Sequence, residues 1–275
     1  MKLNTIIVIF NFLIVVSFLF VFLLPVLFLG WEFASSFWAD NWYLTLIFVA
    51  VLALLNGYFG RNAALFSALE REDWTRVIDT LRRRIYTKGQ ASDQNVHLLV
   101  NAYLVTSKPE SIGELEAHLR EHHPKALSRN ALSLGIPHLL SSEGEEIRDF
   151  YAEFRSDQLA RDGGWVEWCY GYGSLLAGQY DEARASLEAI ATRSGPGVLK
   201  ALAAYLLRPF VDLDAAVGGQ IEAYRNQIVT SLSERDWERR VDRARGKLHV
   251  LVLSALVRDV GNWLYRPQQE AEDAT

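Results

Sequence analysis

From Ile6 to Leu29 every residue except Asn11, Ser17 and Pro25 is Ile, Val, Leu or Phe. A soluble helix needs one apolar stripe, whereas this segment is apolar on all sides, the composition of a helix whose solvent is hydrocarbon. Each such side chain favours the bilayer centre by about 0.3–0.6 kcal/mol, so the summed preference directs the segment into a membrane. A cleaved secretory leader is the competing reading, but its apolar region covers only ~7–15 residues and ends at a small-x-small site, and no clear site of that kind follows Leu29.

Trp42 to Tyr58, WYLTLIFVAVLALLNGY, is a shorter second span. Trp31, Phe33, Phe37, Trp38, Trp42 and Tyr43 crowd the connection between the two, where amphipathic rings prefer the headgroup level. That connection carries Glu32 and Asp40 but no Lys or Arg. Lys2 precedes the first span, and Arg61, Arg71, Arg76 and Arg82 to Arg84 follow the second. The positive-inside bias therefore predicts a multi-pass protein of a bacterial-type inner membrane, with both termini and the remaining chain cytoplasmic. Neither span holds an Asp, Glu, Lys, Arg or His, so the pair reads as an anchor rather than a pore or proton relay.

Over the whole chain 28 Lys and Arg face 33 Asp and Glu, a net charge of −5, which provides no electrostatic case for bulk nucleic-acid binding. Cys169 is the only cysteine, so no intrachain disulfide exists. It lies among aromatics with no nearby His to generate a thiolate, and it reads as a small buried hydrophobe.

Beyond the anchor, the segment 164–197 contains a complete helix–turn–helix pattern. Gly171 is a small residue in the first helix, Gly178 and Tyr180 form a Gly-x-aromatic turn, Ala183 and Leu187 are a small and a large apolar residue four apart, and Pro196 closes the unit. On these residues the segment resembles a tetratricopeptide repeat, although Glu167, Tyr170 and Ser174 stand where the family has Trp, Leu and Tyr. Taking the apolar residue after each turn, Trp74, Ile112, Ile147 and Tyr180 recur at intervals of 38, 35 and 33, around the family's 34. The fold expected is all-α: a two-helix transmembrane anchor at 1–60, a solenoid of degenerate helix pairs at 61–217, closing helices at 218–266 and a disordered acidic tail at 267–275. The closing region is expected as Gln220 to Leu232 followed by one long helix, Arg235 to Tyr265. Along the latter, Trp237, Val241, Ala244, Leu248, Leu251 and Ala255 step at 3.5-residue spacing.

Three residue sets are candidates for function. His118, Glu121 and His122 fit H-x-x-E-H, a zinc-peptidase pattern in which two histidines share a helical face with a carboxylate that can activate water. The string stops at Pro124 with no identifiable third ligand, so a helix-end role is preferred and no cofactor is expected. Trp165, Trp168 and Tyr172, three and four residues apart, lie on one face of a helix. The repeat resemblance implies that this face, extended by Leu175 and Leu176, lines a concave groove holding a partner peptide or helix; packing as core is the alternative. Arg82, Arg83, Arg84 and Lys88 form either a solvated helix face or a contact to anionic lipid. The reading is a non-enzymatic, membrane-tethered scaffold or adaptor for other proteins. A membrane-bound zinc peptidase and a structural subunit acting through its hairpin are the alternatives.

Overall fold

Apolar periodicity of 3.6 residues runs through most of the chain, and the computed structural model folds accordingly into helices joined by short turns. It describes residues 3–141, 143–157, 160, 163–192, 197–212, 214–244 and 248–266, and no strand occurs among them. Pro196, Gly246 and the acidic tail lie outside the described residues. In order, the helices are α1 (Leu3–Asp40), α2 (Trp42–Glu70), α3 (Trp74–Arg82), α4 (Asp93–Val105), α5 (Glu110–His122), α6 (Pro124–Leu134), α7 (Ile136–Ser141), α8 (Gly144–Ala152), α9 (Gly163–Leu176), α10 (Tyr180–Ala191), α11 (Val198–Leu206), α12 (Ala215–Ser231), α13 (Glu234–Ala244), α14 (Leu248–Val252) and α15 (Ser254–Tyr265). A π-helical turn, Arg83–Thr87, follows α3, and a 3-10 turn, Arg208–Asp212, precedes α12. The chain divides into two units, Met1–Arg83 and Arg84–Thr275.

In the first unit, α1 is not the single straight span expected. Its halves Ile9–Leu24 and Val26–Asp40 meet at 80°, on either side of Pro25, whose missing N–H removes a helix hydrogen bond. Gly30 adds a second break at φ 83°, a conformation that favours glycine. The aromatic connection is thereby helical and folds back: the Trp38 indole stacks on Phe22 with ring centroids 4.5 Å apart, and its Nε1 donates to the Phe22 carbonyl at 3.3 Å. By length and composition, α2 can cross a membrane on its own among the described residues, whereas α1 qualifies only as its bent pair of segments. The two helices run antiparallel. Phe18 stacks on Phe48 at 3.9 Å, and Asn11 and Asn56 exchange amide hydrogen bonds of 3.2 and 2.8 Å. Their outer faces stay apolar and uncovered, with Phe12, Phe20 and Leu54 more than 60% exposed. Helix α2 then continues unbroken to Glu70, where Leu65 and Ala68 are buried and α3 packs alongside.

The joint between α2 and α3 recurs along the chain. Glu72, Ser107 and Gly178 each adopt left-handed φ, at 55°, 54° and 72°. After each of them the next N–H reaches back five residues, from Asp73 to the Ala68 carbonyl (2.9 Å), Lys108 to Tyr103 (2.8 Å) and Gln179 to Ser174 (2.8 Å). This closure satisfies carbonyls that a helix end leaves open. The fourth place of the series falls at Ser142, outside the described residues.

The buried residue five beyond each of these places is Val77, Ile112, Ile147 and Ala183, all fully buried and 35, 35 and 36 residues apart. That register corrects the one drawn from sequence: Ile112 and Ile147 are equivalent to Val77 and Ala183, not to Trp74 and Tyr180. Any apolar residue near a turn fits a sequence alignment, whereas burial distinguishes the helix start from its first inward turn.

In the second unit, α5 packs on α6, α8 on α9, α9 on α10, and α10 on α11. Glycines set the closest approaches. A Cβ on Gly173 would lie 2.6 Å from the Arg148 backbone nitrogen of α8, and one on Gly171 would lie 3.1 Å from Cβ of Ser186 in α10. The long closing helix expected from Arg235 to Tyr265 is instead broken at Leu253, between α14 and α15. Helix α15 packs on α13, where Gly261 sits against the Trp237 indole, and α14 lies on α6 and α7. The 3.5-residue stepping is therefore not one seam: Trp237 and Val241 are buried, whereas Leu251 and Ala255 are exposed.

Candidate functional site

Helix α9 carries the aromatic set. Spacings of three and four residues do place the rings in series: Trp165 meets Trp168 edge-on at 6.0 Å, and Trp168 stacks on Tyr172 at 5.2 Å. Burial then separates their roles. Trp168 is fully buried, and its Nε1 finds no acceptor among the described residues. Trp165, Tyr172 and Leu175 are half-buried, and Leu176 is exposed.

The open groove expected at this face is corrected at its centre, because Trp168 belongs to the core. Beside it, the C-terminal α14 brings His249 onto the Trp165 ring at 4.5 Å, with His249 and Val250 themselves buried. What stays accessible of the predicted set is the edge formed by Leu176 and the half-buried rings beside it.

Next to the rings, Arg155 joins the elements that carry them. Its guanidinium makes two hydrogen bonds to Glu167 at 2.9 and 2.7 Å, reaches Ser186 at 3.3 Å, and lies 3.8 Å above the Tyr170 ring. The Tyr170 hydroxyl donates to Glu182 of α10. Burial, followed by the hydrogen bond to Glu182 and its charge, pushes the Tyr170 phenol up. Thus the three departures from the repeat pattern have structural occupations: Glu167 holds Arg155, Tyr170 bridges to α10, and Ser174 is buried and closes the turn through its carbonyl. Cys169 is fully buried, as expected, and burial pushes its thiol up to about 12, with a hydrogen bond from Tyr151 opposing the shift. A neutral thiol at that value is not a nucleophile at ordinary pH.

The H-x-x-E-H string closes α5. The rings of His118 and His122 stack at 4.6 Å, and Tyr86 stacks on the other face of His118 at 4.2 Å. Parallel imidazole planes do not converge their nitrogens on one point between them. The Nδ1 of His122 instead approaches the His118 carbonyl at 3.2 Å, and the Glu121 carboxylate is 78% exposed. No group of three or more His, Cys, Asp or Glu able to hold a metal ion occurs among the described residues. The Nε2 of His118 is enclosed without a partner, and burial, then the charges of His122 and His123, hold its pKa down against an opposing pull from Glu121.

A polar network missed by sequence reasoning lies beside this helix. At the inward place where other second helices have Leu81, Tyr151 and Leu187, α5 has Glu116. Its carboxylate accepts from Arg120 at 2.9 Å and sits 3.5 Å from His138 Nε2, and Arg120 continues to Glu153 at 2.7 Å. Glu116 and Arg120 are one helical turn apart, but His138 and Glu153 come from α7 and the end of α8, and only the aligned inward places reveal Glu116 as an anomaly. Arg82, Arg83 and Lys88 are exposed and Arg84 is half-buried. A cavity of about 370 Å³ between α13 and α15 is floored by Trp237, Val257 and Gly261 and walled by Glu238, Asp242 and Arg258.

Comparison with known proteins adds a relative and a family. A protein of Treponema pallidum (strain Nichols), described as an uncharacterized protein, is 24% identical over 256 residues, covering 89% of this chain and 80% of that one. No solved structure matches. Residues 111–266, from α5 to the end of α15, match the profile of a family described as uncharacterised Treponema protein. This match spans more than half of the chain, and the chain belongs to that family.

Proposed function

We propose that this chain is a membrane-tethered scaffold: a two-span hairpin anchor followed by a solenoid of tetratricopeptide-like helix pairs that binds other proteins on the cytoplasmic face of a bacterial-type inner membrane. The observation that carries the reading is the repeated helix joint at Glu72, Ser107 and Gly178, together with an α2 that runs without interruption from its apolar stretch into the first such joint. Stacked pairs of this kind expose long surfaces suited to protein recognition. The uncovered apolar sides of α1 and α2 favour lipid as their solvent. Arg82, Arg83, Arg84 and Lys88 lie just beyond that stretch and would gain about 1 kcal/mol per charge near an anionic surface. Both termini are cytoplasmic in this arrangement.

The experiment is alkaline carbonate extraction of membranes, followed by crosslinking of the full chain in intact membranes and identification of the products. Retention in the membrane with a reproducible crosslinked protein is expected. Extraction into the wash would remove the anchor, and a chain that crosslinks to nothing would remove the scaffold.

A further inference from the structure

In the first unit, the connection between the two apolar stretches has a direction and a sidedness of its own. Residues 6–24 rise about 28 Å at 1.5 Å each, which nearly matches a hydrocarbon core of about 30 Å, so a crossing is complete before the bend at Pro25. Val26–Asp40 then runs at 80° to Ile9–Leu24. When the first stretch stands along a membrane normal, the second therefore lies close to the membrane plane. Phe18 faces Phe48 and Asn11 faces Asn56, and the same antiparallel register puts Leu24 level with Trp42, where α2 begins. The connection thus lies across one end of the helix pair.

Past the break at Gly30, the apolar-all-round pattern of the spans gives way to a two-sided one. At 3.6 residues per turn, Glu32, Ser35, Ser36 and Ala39 fall on one side of residues 31–40, with Asp40 at its margin, and Ala34, Phe37 and Trp38 fall on the other. The apolar side faces the helix pair: Ala34 is buried, and Trp38 stacks on Phe22. Trp31 and Phe33 stand at the two margins of that side and are 73% and 50% exposed. Leu27, Phe28 and Leu29, just before the break, are each at least 60% exposed. Trp42 and Tyr43 open α2 at the same level, both exposed, and the Tyr43 hydroxyl donates to Asn41 at 3.1 Å. No Lys, Arg or His occurs between Lys2 and Arg61, so an anionic group meets no positive side chain here.

We propose that residues 31–40 are an in-plane cap on the helix pair, lying in the headgroup layer of the leaflet remote from the chain termini. Leu27, Phe28, Leu29, Trp31 and Phe33 contact acyl chains, and Glu32, Ser35 and Ser36 face water. Three observations select lipid as the occupant. The cap lies nearly perpendicular to the crossing. Its exposed aromatic residues flank both margins of one helix, and lipid surrounds both flanks, whereas a single protein partner covers one. Its polar side is turned away from the helix pair, the arrangement of an interfacial helix, which sinks about 5–10 Å into the boundary of headgroups and acyl chains. Without a basic residue, the cap is held by apolar area and not by charge. The proposal rests on the membrane-anchor part of the scaffold reading and adds to its two crossings a third contact, which fixes how deep the pair sits.

The test uses the full chain in nanodiscs of phosphatidylcholine, which leave both membrane faces open to solution. Phe33→Cys and Ser36→Cys are each labelled with a thiol-reactive NBD fluorophore; Cys169 is fully buried, and the unsubstituted chain serves as the control for labelling there. One quencher is a nitroxide on the lipid acyl chain near the headgroup, and the other is aqueous cobalt ion. Position 33 should be quenched severalfold more by the nitroxide lipid than position 36, and position 36 severalfold more by cobalt. Leu27→Cys should behave as position 33 does, and exchanging part of the lipid for phosphatidylglycerol should leave the pattern unchanged. Unchanged helicity by circular dichroism verifies folding of each variant. Equal cobalt quenching at 33 and 36 would make the connection a loop in water and overturn the cap. Equal nitroxide quenching at both would bury it as part of a span, and shielding of position 33 from both quenchers would put a protein, a second copy included, where lipid is proposed. A pattern that appears only with phosphatidylglycerol would overturn the charge-free mode of contact. If carbonate washes the wild-type chain from membranes, the anchor reading has failed and the cap with it; if the chain is retained and the quenching contrast is missing, the cap alone has failed.

Discussion

His118 shows how one residue couples local packing to pH. Its ring is held between Tyr86 and His122, its Nε2 is enclosed, and burial together with His122 and His123 lowers its pKa from the ordinary 6.5. A base whose folded pKa lies below its unfolded value leaves the unfolded chain with more protons as the pH drops below 6.5, so its contribution to stability is complete above that value and is lost on acidification. Thermal melts should show a lower Tm at pH 5.5 than at pH 7.5, with the difference reduced in His118→Gln. An unchanged difference in the variant would assign the dependence to other groups. The H-x-x-E-H match offered these histidines as metal ligands only as an alternative to a helix-end role. It could see that positions 118 and 122 share a helical face, but not that their rings stack, because ring orientation is set by Tyr86 from outside the helix.

At the scale of elements, glycines record how closely helices approach. Gly173 has the Arg148 backbone nitrogen 2.6 Å from where its Cβ would stand, so Gly173→Ala must push α8 from α9 and should cost about 1–3 kcal/mol or more. Gly113 in α5 has nothing within 4 Å of the same point. There, Gly113→Ala should stabilise by roughly 0.5–1 kcal/mol, the ordinary helix preference. Urea titration of the two variants should move the midpoints in opposite directions, and a neutral Gly173→Ala would mean that the approach is looser than the structure has it. Helix existence was legible from periodicity: the segments read as helical from Val96 to Leu104 and Ile112 to Leu119 lie in α4 and α5, and that from Ile147 forms α8, which ends at Ala152, before Phe154. The exact repeat register was not, because it depends on which apolar residue turns inward.

For the whole molecule, the proposed scaffold reading assigns anchoring to the unit that ends at Arg83 and holds the apolar α1 and α2, and recognition to the unit that follows. Exchanging residues 1–57 for an unrelated two-span hairpin should preserve the crosslinking pattern of the full chain in membranes. Loss of the pattern, with the protein still in the membrane, would assign the partner to the spans and make the chain a structural subunit instead. The network of Glu116, Arg120, His138 and Glu153 belongs to this scale as well, since it joins α5, α7 and the residue that ends α8.

The amino-acid sequence by itself determined the helical class, the apolar N-terminal segment and the presence of helix–turn–helix units. Each follows from local composition or spacing, which a linear pattern carries in full. Only the tertiary structure decided the break of the closing helix between α14 and α15, and the burial of Trp168 while Leu176 stays exposed. Those outcomes depend on which neighbour covers a given face. The residues that do the covering, His249 of α14 on Trp165 among them, come from distant parts of the chain and leave no mark in the local pattern.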